Sequence, residues 1–204
     1  MMDPAVAAIL RDAVPGAVID EPPAGDMPTI VVDRGHLVEV CRTLRDHASL
    51  QFALLAEITA ADYLPAAPRF EVVYHLACLG EAYATGPAAP PRRLRLKVRL
   101  AGDDPRVPSI VSIYPAAGWL EREVFDLFGL SFEGHPDLRR LLMPDDWEGH
   151  PLRKDAPVQI RKATQSASPL QLSPEEFAAN IRAQREQSTR QARPTGPPEP
   201  TRRG

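Results

Sequence analysis

The sequence predicts an α+β fold: one compact domain over residues 1–157 with a small, mostly antiparallel sheet flanked by helices, followed by an extended C-terminal region over 158–204. Three features carry this prediction. Residues 70–78 and 93–100 alternate apolar and polar side chains with the period of strands half-buried on one face. Residues 36–47 and 116–128 instead repeat apolar residues at helical spacing. Beyond about residue 157 the chain turns polar and proline-rich, and its last stretch, 191–204, has no apolar side chain larger than Ala other than Pro.

In chain order, residues 4–13 read as a short helix stopped by Pro15 and Gly16, and 29–33 as a compact β-branched strand. The next helix places Leu37, Val40, Cys41 and Leu44 on one stripe. Residues 52–62 and 69–79 then form a hairpin with a wide loop, because Pro65 and Pro68 cannot sit inside a central ladder. The third long strand sets Leu94, Leu96, Val98 and Leu100 against Arg93, Arg95, Lys97 and Arg99, so one face is core and the other basic. A turn at 102–105 ends it, and 108–114 is short helical or irregular. Leu120, Val124, Leu127 and Phe128 give the helix at 116–128 its apolar stripe, with Gly129 placed to cap its C-terminus in the left-handed conformation. Residues 130–157 have no clear period and read as an ordered, contact-making loop. Ser173, Pro174 and Glu176 form a helix-start signal for a helix over 174–190, with the remainder disordered or draped on a partner.

At 204 residues the chain suits one domain and a tail. With 44% hydrophobic and 25% charged residues and a net charge of -3, it has no overall pull toward nucleic acid or anionic lipid. The opening residues lack a basic region followed by a long apolar run, so export is not expected. No run is apolar enough to span a bilayer, and any membrane association is expected to be indirect. Cys41 and Cys78, 37 residues apart by sequence number and with no Cys-x-x-Cys, fit reduced, buried thiols and cannot supply the four thiolates of an ordinary iron–sulfur cluster.

Charge concentrates at 121–157. Arg122 and Asp126 are spaced to pair along the helix, and Glu123 and Asp126 to share a face with Trp119. The carboxylates together with His135 could be drawn as an acid–base site, but no nucleophile motif, phosphate loop or metal-ligand spacing accompanies them. A structural or interface ion-pair network is the better reading. His135 and His150 sit in matching Gly-His-Pro settings, each followed by basic residues, and two histidines without a third spaced ligand make a weak metal signal. The basic strand face, extended by Arg92, is open to three readings: a solvated face, an acidic protein partner, or nucleic acid.

The series Glu121-Arg122-Glu123, then DLFG from Asp126, FEGHPDL from Phe132 and RRLL from Arg139, resembles the signature of the 30-kilodalton subunit family, the C-type subunit of NADH-quinone oxidoreductase (respiratory complex I). WEGHPLRKD from Trp147 continues it. The resemblance implies a non-catalytic structural and assembly subunit in the hydrophilic arm of a proton-translocating complex that passes electrons from NADH to quinone. It implies docking on the D-type subunit near the quinone module, with B-, I- and G-type subunits as neighbours and quinone met only through the complex. No cofactor is implied in this chain, with FMN and iron–sulfur clusters in other subunits, no nucleic acid, and a peripheral place on the cytoplasmic side of the cell membrane. The implied interface and signature residues are Glu121, Arg122, Glu123, Asp126, Phe128, Gly129, His135, Pro136, Asp137, Leu138, Arg139, Arg140, His150, Pro151, Leu152, Arg153, Lys154 and Asp155. Plastid-type and membrane-bound hydrogenase relatives share the signature, so the electron donor stays open.

Overall fold

The alternation along 70–78 becomes an interior strand of a sheet in the computed structural model, which describes residues 4–23, 25–80 and 89–156. Helix α1 (Pro4–Ala13) is followed by strands β1 (Val18–Asp20) and β2 (Thr29–Val32), a short 3₁₀ turn, and helix α2 (Leu37–Asp46). Strands β3 (Leu54–Asp62), β4 (Phe70–Cys78) and β5 (Arg92–Leu100) come next, then β6 (Arg106–Pro108), helix α3 (Ala117–Phe128) and β7 (Ser131–Glu133). The five-stranded sheet runs β1-β2-β5-β4-β3, antiparallel except where β2 lies parallel to β5. Strands β6 and β7 form a separate parallel pair.

The register explains the layering. Phe70, Val72, Tyr74 and Leu76 of β4 stand opposite Leu100, Val98, Leu96 and Leu94 of β5, and all point into one core. Val6 and Leu10 of α1, and Leu37, Val40, Cys41 and Leu44 of α2, cover that face. Burying side chains of this size stabilises by about 1.5–3 kcal/mol each before entropy is counted, and the apolar stripes are what hold the helices to the sheet. Both cysteines are free and buried.

The opposite face carries the basic row, and it is neutralised within the chain. Arg95 pairs with Asp26 at 2.9 Å, Lys97 with Glu71 at 2.7 Å, and Arg99 with Asp20 at 3.4 Å, while Arg92 donates to the Ser49 carbonyl. Three ion pairs on a row of four strand cations leave little charge free for a phosphate backbone.

Three short strands escape sequence reading: β1, β6 and β7 have three residues each, too few to show a period. The longer strands lie within two residues of their expected ends. The helix expected over 174–190 lies outside the described residues. Among the described residues no helix is long and apolar enough to cross a membrane.

Candidate functional site: a clasp over helix α3

The charges of helix α3, read from the sequence as a structural or interface ion-pair network, lie largely inside the protein: Glu121, Arg122 and Asp126 are all buried. Residues 138–155, which form turns but no helix or strand, cross the face that Arg122 and Asp126 occupy and roof it over. This strap is fastened to the C-terminal half of the helix and to the β3–β4 hairpin.

Asp126 is the first fastening. Its Oδ2 accepts the backbone N–H groups of Leu141, Leu142 and Met143 at 3.0, 2.7 and 2.8 Å, and its Oδ1 accepts Arg140 at 2.7 Å. Burial alone would raise its pKa, but those four donors outweigh it and hold the carboxyl below its ordinary value. Arg140 also donates to the carbonyls of Trp147 and Gly149, which draws the second half of the strap toward the first. The partner of Asp126 is therefore Arg140 and not Arg122, four residues away on the helix. Arg122 instead reaches the carbonyls of Arg139 and Arg140, with its guanidinium 5.0 Å from the Trp119 ring centroid.

The second fastening is at the helix C-terminus, where the last carbonyls of any α-helix lack partners in the helix itself. Gly129 closes the turn in the left-handed conformation, φ 70° and ψ 28°, as expected from its sequence position, and its N–H reaches Phe125 O. The next carbonyls are taken in succession by the strap. His150 Nδ1 donates to Asp126 O at 2.9 Å, Leu152 N–H to Leu127 O at 3.0 Å, and Arg153 to Phe128 O and Gly129 O. The Gly-His-Pro-Leu-Arg block at 149–153 is thus a helix cap delivered from outside the helix, with a cation on the negative end of its dipole. Gly129 is also the floor of a cradle: a Cβ there would lie 2.4 Å from His150 Cδ2 and 2.7 Å from Arg153 Nη2.

A third fastening ties the strap to the hairpin. Asp62 accepts Arg69 through both carboxylate oxygens, the Leu64 N–H, and the Lys154 N–H at 2.9 Å. The Arg69 bonds lead the causes that push the Asp62 pKa far down. Arg69 also bridges to Asp155 at 2.8 Å, and the guanidiniums of Arg69 and Arg153 lie 4.7 and 5.4 Å from the buried Phe70 ring centroid.

The remaining signature residues divide by exposure. Leu138 is partly buried against the core, and Phe128 lies within it. Arg139 and Asp137 pair at 2.9 Å on the surface, Pro136 and Lys154 are exposed, and Glu123 and Pro151 are half-buried. Trp119, Leu142 and Leu152 stand out as large apolar side chains with half or more of their surface exposed. His135 is 4.0 Å from Glu121, on the core side of α3, so the acid–base grouping of Glu123, Asp126 and His135 is not assembled.

No group of three or more His, Cys, Asp or Glu among the described residues is arranged to hold a metal ion. Two cavities, of about 310 and 320 Å³, are lined by other parts of the chain and by no residue of the strap.

The class defined by this fold and clasp is a small α+β module whose charged signature segment serves as its own outer layer. The chain belongs to the family described as respiratory-chain NADH dehydrogenase, 30 Kd subunit, which it matches over residues 30–162. It is 50% identical over 131 residues to the NADH-quinone oxidoreductase C-type subunit of Saccharopolyspora erythraea, covering 64% of this chain and 49% of that protein. With the C-type subunit of Roseiflexus castenholzii the identity is 43% over 157 residues, 76% of this chain and 84% of that one. The chain thus spans about half the length of the Saccharopolyspora erythraea relative and most of the Roseiflexus castenholzii one.

Among solved structures it resembles the trypsin-resistant fragment of Nqo5, at 34% identity and a TM-score of 0.50 over 65% of this chain and 98% of the fragment. It also resembles a chain of the membrane-bound sulfane sulfur reductase, an archaeal respiratory membrane complex, at 28% identity and a TM-score of 0.59 over 77% of this chain and 86% of that one.

Proposed function

We propose that this chain is a non-catalytic assembly subunit of the hydrophilic arm of a proton-translocating NADH-quinone oxidoreductase. It docks on the D-type subunit near the quinone module, beside B-, I- and G-type subunits, on the cytoplasmic side of the cell membrane. FMN, iron–sulfur clusters and quinone belong to the other subunits, and this chain contributes shape and contact surface.

One observation supports docking through the strap: its inward charges are satisfied within the chain, while Trp119, Leu142 and Leu152 are left exposed on and beside it. Exposed Trp beside Arg, with flanking leucines, is the composition of an interface anchor. In this reading Arg139 and Lys154 meet acidic or carbonyl groups of the partner. Arg140 and Arg153 contribute indirectly, by holding the strap in shape.

The test is to express Trp119→Ala and Arg139→Glu in the complex and purify from solubilised membranes. Loss of co-purifying subunits and of quinone reduction, with the thermal stability of the isolated chain unchanged, is the expected result. Full assembly of both variants would remove this surface as the docking site. The likeness to the sulfane sulfur reductase chain favours a second reading, an equivalent subunit in a related complex with another electron donor. The same purification separates the two, since only the first yields NADH-oxidising flavoprotein partners.

A further inference from the structure

The core side of α3, away from the strap, holds a carboxyl with no cation beside it. Glu121 is fully buried; Ser109 Oγ donates to its Oε2 at 2.6 Å and the Ile110 N–H to its Oε1 at 2.8 Å. Its only ion-pair candidate among the described residues is His135, whose side chain is 2% exposed and whose Nε2 is 4.0 Å from Oε2. The hydrogen bonds of that imidazole define its tautomer. The Asp137 N–H donates to Nδ1 at 3.0 Å, so Nδ1 is the acceptor and Nε2 carries the proton, which it donates to Gly118 O at 3.1 Å.

Two further polar groups lie near enough to feel the charge of the carboxyl. The Tyr74 hydroxyl comes from β4, buried and without a hydrogen-bond partner among the described residues, and the Cys41 thiol comes from α2. Burial, with the Glu121 charge second, pushes the phenol well up and the thiol up to about 12, so both stay neutral near pH 7. Arg122 and Asp126, on the neighbouring turn, are committed to the strap on the other side. Burial pushes the Glu121 carboxyl up to about 7 against the pull of its Ser109 and Ile110 bonds.

We propose that Glu121 is an internal proton-binding site that selects the acceptor used by His135: the Gly118 carbonyl when the carboxyl is protonated, the carboxylate when it is ionised. The step is a simple one. The carboxyl O–H bond breaks, its electron pair stays on the oxygen, and the proton leaves to solvent. The His135 N–H bond remains intact and only its acceptor changes, a shift that 3.1 and 4.0 Å place within one small ring movement. Because His135 stands at the entry to the strap, one proton then adjusts the 134–137 turn. Any consequence for partner binding rests on the docking function proposed above; the proton site does not.

The test uses the full-length chain with ¹⁵N-labelled histidine, followed by NMR from about pH 5 to about pH 9, a span that brackets the ordinary and buried carboxyl values. The Nε2–H resonance of His135 is expected to move with a midpoint near neutrality, and the Asp137 amide exchange to change at the same midpoint. In Glu121→Gln the Nε2–H movement that leaves Nδ1 unprotonated should be absent, since the amide keeps partners at Ser109 and Ile110 but cannot ionise; ionisation of the imidazole itself protonates Nδ1 and is read apart from it. A flat wild type, or an identical titration in Glu121→Gln, overturns the proposal. Should that variant not fold, the infrared band of a protonated carboxylic acid in the wild type must fade with the same midpoint, and its absence overturns the proposal equally. None of these readouts depends on a partner subunit.

Discussion

Replacing Asp126 by asparagine removes one charge and changes almost no volume, which makes it a sharp probe of the clasp. The asparagine carbonyl can still accept the Leu141, Leu142 and Met143 N–H groups if it takes the place of Oδ2. Its NH₂ group must then face the Arg140 guanidinium, donor against donor, where a 2.7 Å ion pair stood. Removing one partner of a buried pair costs about 3–5 kcal/mol. Arg140 keeps its bonds to Trp147 O and Gly149 O and its side chain is 18% exposed, so the lower end applies, about 3 kcal/mol. Urea unfolding at neutral pH should show that loss, and the amides of Leu141, Leu142 and Met143 should exchange faster by more than the global change allows. Pairing the variant with Arg140→Gln should recover about 1–3 kcal/mol of coupling, because contacting residues in one network are not additive. A loss under about 1 kcal/mol, or additive behaviour in the double variant, would refute the reasoning that Asp126 holds the strap through charge.

Other perturbations give separate checks. Gly129→Ala meets both a left-handed φ of 70° and the His150 and Arg153 side chains in the cradle, and should cost about 2–4 kcal/mol by calorimetry. A change in Tm no larger than that of a surface substitution would mean the cap rearranges freely. In the alkaline direction, the Glu121 carboxyl is raised from its ordinary 4.5 to about 7, so the folded state holds a proton that the unfolded state has lost. Its contribution is full below pH 4.5 and disappears as pH rises through about 7, a fall of about 3 kcal/mol that denaturation against pH should show in the wild type and not in Glu121→Gln. In the acid direction the sign reverses: Asp62 and Asp126 are depressed, so their stabilisation is present above their ordinary 3.8 and is lost as pH falls below it. An acid-unfolding slope that stays the same in Asp62→Asn would show that the Arg69 pair contributes nothing to it.

Sequence patterns made the core legible because periodicity reports which side of an element is dry. Phe70, Val72, Tyr74, Leu76 and Cys78 announce β4, and Leu37, Val40, Cys41 and Leu44 announce α2. Gly129 was legible for a different reason, since few other residues end a helix in a left-handed turn at so little cost. The burial of Arg122 and Asp126 was not legible, because the layer that buries them has no period of its own. The same limit hid the partners of the basic row. Asp26 lies 69 residues from Arg95, and local charge spacing carries no information about a contact that only the sheet creates. His135 lies 4.0 Å from Glu121 and not beside Asp126, a neighbour that sequence spacing could not select because the loop carrying His135 has no period.

A segment of turns rich in arginine and lysine would ordinarily be the first place for trypsin to cut, because the protease must draw the basic side chain into its specificity pocket and straighten the backbone around it. In the strap, Arg140 and Arg153 spend their guanidiniums on Asp126 and on the end of α3, out of a protease's reach until the clasp opens. Cleavage in the strap, after the exposed Arg139 and Lys154 as well, should therefore follow the population of opened molecules, because Arg122 holds the Arg139 carbonyl and Asp62 the Lys154 N–H. The rate of that cleavage converts a digestion gel into a measure of how often the roof of α3 lifts.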